Sequence, residues 1–340
     1  MAGDGAIQAR APGLARRRAL LGAVLAAPAA APGLAQSGWR PGANVRIIVP
    51  VAAGGTTDII GRIVAQHLQG LWGSPVVVEN RPGAGGTIGS AEMARARPDG
   101  LTWLSGNVGS QAIAYSLFRN LPYRIESQVP VVGTIRGPNV LVCNNDVPAR
   151  DLAEFIAWVR GQRGRASFGS TGVGQSTHLT PVWMLQLLGV EATHVPFRGS
   201  APMQTDLLAG TVQFAIDNLT GVIELIRSGR VRGLAVTSAA RSPQLPDIPA
   251  LREGGGELAG FDVNTWFGIF GPPGVPEAVV RSVNADIRAL LETPATQARF
   301  AELGGVAFPN TPEEFGAFVR VEAERWGQVI RREGLQIDAG

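Results

Sequence analysis

Arg46 to Val51 is a near-continuous apolar run rich in β-branched residues, the pattern of a strand buried in a parallel sheet. Small residues follow, Ala52-Ala-Gly-Gly-Thr-Thr57. Apolar positions then recur at helical spacing at Ile60, Ile63, Val64, Leu68 and Leu71. Thr56 or Thr57 suits the N-cap of this helix, with Asp58 in its first turn. The same motif repeats. Pro75 to Glu79 predicts a strand, Asn80 to Thr87 a glycine-rich loop, Ile88 to Ala96 a short helix, and Leu101 to Leu104 a third strand. Strand, small-residue loop and helix in repetition predict a doubly wound α/β lobe.

A second series starts near Asn139. Strands are predicted at Val140–Cys143, Ala166–Gly169, Ala192–Val195, Val212–Ile216 and Val231–Val236, with helices at Asp151–Arg160, His178–Leu188 and Ala201–Ala209. A strand at Trp266–Phe270 precedes two closing helical segments. The last, Glu313 to Arg332, aligns Phe315, Phe318, Val319, Trp326, Val329 and Ile330 on one face, which reads as core.

With 340 residues, 45% of them hydrophobic, the chain can bury two such lobes. All 30 basic residues are arginine, so neither a Walker-type phosphate loop nor lysine Schiff-base chemistry is available. A single cysteine, Cys143, rules out an internal disulfide and argues against a thiolate metal site. Arg16-Arg-Arg18, the apolar stretch Ala19–Ala31 and Gly33-Leu-Ala35 together predict a cleaved secretory signal over residues 1–35, of Sec or loosely twin-arginine type. That segment holds four of the 30 arginines and one of the 27 acidic residues, so the remainder carries no formal net charge. Nucleic-acid binding needs a dense cationic patch and is excluded on that ground.

Ligands of doubly wound sheets bind where loops leave the carboxyl ends of strands. Ala52–Asp58, Gly83–Thr87 and Ser170–Thr177 have the small residues that let backbone N–H groups reach an anion at a helix N-terminus. Gly83-Ala-Gly-Gly-Thr-Ile-Gly89 misses dinucleotide spacing by one residue, and no Gly-x-Ser-x-Gly elbow occurs. His67, His178 and His194 stand singly, without metal-ligand spacing. No catalytic residue, metal or cofactor is therefore assigned. His178 opens a helix beside a candidate loop and suits ordering that loop or a ligand. Asp58 suits ordering its own loop, or meeting an ammonium or a water. Asp217-Asn218, at a strand end, allows turn chemistry or ligand contact.

VPVAAGGTTD (49–58), VVVENRPGAGGTIG (76–89), ARPDG (96–100), STHL (176–179), HVPFRGSAP (194–202), DLLAG (206–210), AVTSAARSPQLPDIP (235–249) and WFGIFGPPGVP (266–276) run through almost the whole mature chain. In this order they make it resemble the Bug (TctC-type) solute-binding proteins of tripartite tricarboxylate transporters. The resemblance implies a two-lobed periplasmic-binding-protein (Venus-flytrap) fold crossed near 138–144 and 261–268. Lobe one would be 43–140 plus 265–340 and lobe two 141–264. It implies a periplasmic monomer that delivers a small carboxylate or amino acid to membrane transporter subunits. The contact residues it implies are Ala53, Gly54, Thr57, Asp58, Ser105 and Asn107 (placed after the third strand) in lobe one. In lobe two they are Ser170, Gly172, Ser176, His178, Asp217 and Asn218. Relatives usually carry an aromatic residue and prolines where this chain has Val51-Ala-Ala53, and commonly tyrosine in place of Phe197. Two other roles fit the same pattern: a ligand sensor partnering a membrane receptor, or a secreted enzyme acting on a small carboxylate. The lack of a recognisable nucleophile–base pair weighs against the enzyme.

Overall fold

A computed structural model describes residues 38–332 and 334–337; the predicted signal segment lies outside them. The strands alternate with helices as the periodicity predicts. β1 (Val45–Val49), α1 (Thr56–Trp72), β2 (Val76–Asn80), α2 (Thr87–Ala94), β3 (Thr102–Asn107) and the single turn α3 (Ala114–Leu117) come first. Then follow β4 (Val129–Cys143), α4 (Leu152–Gln162), β5 (Ser167–Ser170), α5 (Ser176–Leu187), β6 (Thr193–Pro196), α6 (Ser200–Leu208), β7 (Phe214–Asn218), α7 (Leu219–Arg227) and β8 (Arg232–Val236). The chain closes with β9 (Asn264–Gly271), α8 (Glu277–Leu291), α9 (Pro294–Glu302), β10 (Val306–Ala307) and α10 (Pro312–Arg332).

β1 lies between β2 and β3, parallel to both, and β9 joins β3 antiparallel. The connection is made by β4. From Val129 to Pro138 it pairs with β9, and from Asn139 to Cys143 it pairs with β7 on one edge and β8 on the other. One 15-residue strand thus belongs to the sheets of both lobes. The change of partner falls at Pro138, which has no N–H to give to a ladder. In the second lobe, β5 runs parallel to both β7 and β6.

Core placement follows the apolar stripes. Ile60, Val64 and Leu68 of α1 pack with Val279, Val283 and Ile287 of α8 against β1, β4 and β9. Phe315, Val319, Trp326 and Ile330 of α10 are buried in the largest cluster, with Ile113, Leu117 and Phe270. The stripe predicted as core is core.

Three expectations need correction. Three helices, not two segments, follow β9, because Thr293 caps a separate helix: its hydroxyl accepts the Thr296 N–H. Helix α7 went unpredicted, although Val222 and Ile223 bury its apolar face. β3 runs through Asn107, so Ser105 and Asn107 belong to the strand rather than to a following loop.

Candidate functional site

The loops leaving β1 and β2 face those leaving β5 and β6 across a cleft between the lobes. A cavity of about 520 Å³ lies there, walled by Val51, Ile88 and the Gly83–Gly86 loop on one side and Gly172, Phe197 and Arg198 on the other. Of the positions where this chain departs from the motif it resembles, Val51-Ala-Ala53 and Phe197, Val51 and Phe197 line this cavity and Ala52 and Ala53 do not. Among the described residues, Arg198 is the only charged one lining it.

The lobes touch in this structure. Ala52 N–H donates to the Arg198 carbonyl (2.9 Å), Gln175 Nε2 to the Gly85 carbonyl (2.7 Å), and the Thr56 and Thr220 hydroxyls bond each other (2.9 Å). The described state is therefore a closed one. Gly85 allows it: its φ is +63°, and a Cβ there would stand 2.0 Å from the Val173 carbonyl oxygen. Ala84 beside it also takes a left-handed φ of 45°, rare for a residue with a side chain. Breaking the Thr56–Thr220 bond removes a neutral contact peculiar to the closed form. Thr220→Val should weaken ligand binding about three- to ten-fold by titration calorimetry; an unchanged affinity would show that the pair does not report on closure.

The N-termini of α1 and α2 from one lobe and of α5, α6 and α7 from the other converge on the cleft. The contacts that bring them there are Thr56 to Thr220, Ser200 beside Gly55, and Gln175 beside Gly86. Each end presents unsatisfied N–H groups and a partial positive charge. The α1 N-cap is Gly55, with no side-chain cap, so neither threonine caps the helix as expected. Both hydroxyls have other partners: Thr56 reaches lobe two, and Thr57 accepts Asn107 Nδ2 (3.1 Å). Ser105 completes that cluster by donating to the Thr57 carbonyl (3.1 Å).

Asp58 is buried, yet Gly54 N–H and Arg62 Nε both donate to its Oδ2, and Asn80 Nδ2 to its Oδ1. Burial pushes its pKa up, but the bonds from Arg62, Gly54 and Asn80 outweigh that and hold it below the ordinary carboxylate value. Asp58 thus orders the loop and uses the Gly54 amide in doing so. Ala53 and Gly54 are exposed on the same loop.

In lobe two, Ser170 Oγ accepts Gly172 N–H (3.2 Å) and shares a 2.7 Å hydrogen bond with His194 Nε2, the donor being set by the imidazole tautomer. His178 Nδ1 accepts Gly174 N–H (3.2 Å). The two imidazoles, expected to stand singly, stack with centroids 4.0 Å apart. Burial lowers the pKa of His178 to about 3, with help from His194, and burial lowers that of His194 to about 4. Both rings are neutral near pH 7, and His194 is a weak base for Ser170. The fifteen residues between the two histidines hid this pair.

Asp217 is fully buried. It accepts from Ser200 Oγ, Gln204 Nε2 and Asn218 N–H, and burial raises its pKa in spite of those bonds. It fixes the start of α6. Asn139 and Asn218 pair across β4 and β7, and each has a buried Oδ1 without a partner. Asn139 also donates to Ser176 Oγ (3.3 Å) at the start of α5.

Of the twelve residues expected at the site, Gly172 lines the cavity. Thr57, Ser105 and Asn107 form one cluster in lobe one, and Ser170 with His178 belongs to the histidine pair. Ser176, Asp217 and Asn218 gather at the helix starts of lobe two. Thr56, Thr220, Asn139, Gln175 and Arg198 were missed. Gln175 and Thr56 lie inside loops singled out for their composition and Arg198 inside a quoted motif; no local signal marks Asn139 or Thr220, whose partners are distant in sequence.

The family model described as "Tripartite tricarboxylate transporter family receptor" (TctC) matches residues 60–335. A Pseudomonas sp. (strain P51) protein encoded between tcbD and tcbE is 37% identical over 93% of this chain and 94% of its own length. BugT of Bordetella pertussis is 35% identical over 87% of this chain and 91% of its own. Among solved structures, the periplasmic binding protein BugD superposes with a TM-score of 0.83 at 34% identity, over 87% of this chain and 99% of its own. An R. palustris protein with adipate gives 0.83 at 32% identity over 86% and 98%, and MatC of Rhodopseudomonas palustris with bound malate gives 0.81 at 32% over 85% and 99%.

Proposed function

The chain belongs to the tripartite tricarboxylate transporter receptor family, and on that premise we propose that it captures a small carboxylate or amino acid outside the cytoplasm for delivery to membrane transporter subunits. One observation carries this reading: helix N-termini from both lobes converge on one closed cleft. Aligned N–H groups and the dipoles behind them favour an anion, and each lobe supplies part of the seat. A ligand held by both lobes stabilises the closed state by its differential affinity for it. The moving bodies are residues 43–140 with 265–340, and 141–264. The partnerless Oδ1 atoms of Asn139 and Asn218 suit a hydrogen-bond donor on the ligand, such as the hydroxyl of a hydroxy acid or the ammonium of an amino acid. The malate held by MatC is a hydroxy acid, and adipate fills another relative.

Binding without turnover fits the Ser170–His194 contact. That serine already accepts a backbone N–H, and an imidazole with a pKa of about 4 removes a proton poorly. Export through residues 1–35 would place the protein in the periplasm, where it would act as a monomer.

The test is a thermal-shift screen of mono-, di- and tricarboxylates, hydroxy acids, amino acids and neutral solutes. A ligand at a hundred times its Kd should stabilise the protein by about 2.7 kcal/mol. Stabilisation by neutral solutes alone would sink the carboxylate reading.

A further inference from the structure

A second cavity, of about 530 Å³, lies at the crossing strands and shares no residue with the one in the cleft. Its floor is Pro138, Thr265 and Trp266, where β4 and β9 pass between the lobes. Lobe two contributes the segment after β8, including Ala240 and Arg241. Lobe one contributes the turn before β10 and the α10 residues Phe318, Glu322 and Arg325.

The charges around it do not cancel. Arg241 is taken by Glu253, at 2.6 Å, and by the Pro246 carbonyl. Arg325 pairs with Glu322 (3.5 Å), and Glu322 also accepts Trp266 Nε1 (3.1 Å). Arg136 remains. Its guanidinium stacks 4.7 Å from the centre of the Phe308 ring and makes no ion pair among the described residues. The Thr265 hydroxyl, on a residue only 3% exposed, likewise has no hydrogen-bond partner among them.

We infer that this cavity is a second ligand site, for an aromatic monocarboxylate. Pro138, Trp266, Val306 and Phe318 give the walls an apolar part with two aromatic rings, and the volume suits a molecule of two fused rings. One uncompensated guanidinium, already held flat by Phe308, offers paired N–H donors to one carboxylate. Thr265 offers a hydroxyl at the floor. The site is separate from transport cargo and does not depend on what the cleft binds.

2-Naphthoate is the probe, with 2-naphthalenemethanol as its uncharged counterpart. Calorimetry on the full-length mature protein should give a site for naphthoate that the alcohol fills at least about ten-fold more weakly. Arg136→Gln should weaken naphthoate about ten- to a hundred-fold, and Ala240→Trp, which fills the cavity from an exposed position, should abolish it. Neither residue lines the cleft cavity, so these losses place the probe at the crossing strands. Naphthoate binding that is absent, or unchanged in Arg136→Gln, overturns the proposal, and the second result assigns the probe to the cleft. Arg136 is exposed, so that variant folds even if Ala240→Trp does not.

Discussion

Gly85→Ala is expected to weaken ligand binding about a hundred-fold or more while leaving the unliganded protein folded. Two effects act at this position. A left-handed φ of +63° costs an L-residue about 1–2 kcal/mol, which is local and tolerable in a loop. The larger effect appears only when the lobes meet, because the new Cβ would stand 2.0 Å from the Val173 carbonyl oxygen. That oxygen is backbone and cannot swing aside as a flexible side chain would. The closed form therefore becomes unreachable as built, and the bond from Gln175 Nε2 to the Gly85 carbonyl is lost with it. A ligand confined to one lobe keeps only part of its contacts. Titration calorimetry with the best carboxylate from the screen measures the loss, and small-angle scattering should show a variant that stays expanded when ligand is added. Near-wild-type affinity together with ligand-induced compaction would rule out this steric account.

Stability should fall by about 2–4 kcal/mol between pH 7 and pH 5 because of the stacked histidines. The folded-state values are about 3 for His178 and about 4 for His194, against an ordinary value of 6.5 in the unfolded chain. Between those limits the unfolded chain binds more protons than the folded one, so stability rises with pH. The contribution is in place above about pH 6.5 and drains away as pH falls through 4 toward 3. Asp217 acts in the opposite sense: its raised pKa means the folded state takes up a proton more readily than the unfolded chain. Denaturant unfolding at the two pH values, on the native protein and on the double variant His178→Gln/His194→Gln, separates the two contributions. The variant should lose most of the slope. A native protein equally stable at pH 5 and pH 7, with a variant that behaves alike, would show that burial does not hold these rings neutral.

Much of the fold could be read from period and punctuation. The strand at Ile47-Ile-Val49 and the stripes of α1 and α10 carry their burial in their spacing. The long strand β4 could not be read that way. The part from Val129 to Pro138 contains Pro130, Gly133, Gly137 and Pro138, which look like breaks, and it holds together because β9 pairs along it and two irregularities absorb the mismatch. At the site, glycine-rich loops showed where an anion could be met but not which atoms would be free to meet it. The Gly54 amide suited an anion on paper, yet Asp58, four residues on, already occupies it. Thr56 shows the same limit. As a helix-opening threonine it suggested a cap, and only the approach of α7, 164 residues away, gave its hydroxyl a different partner.

The position of β9 between β3 and β4 has a consequence for how the molecule comes to exist. As the chain leaves the ribosome, β1 to β4 emerge with the central place of their sheet vacant. That place is filled only when residues 264–271 arrive, after all of β5 to β8. Such distant pairing closes slowly, because a long loop must be ordered before any ladder rewards it. Until then β3 and β4 expose open edges that can bind a chaperone or another chain. The sheet order thus defers folding of the first lobe until nearly the whole polypeptide is present. The second lobe, continuous in sequence, can form first and serve as the template against which the remainder docks.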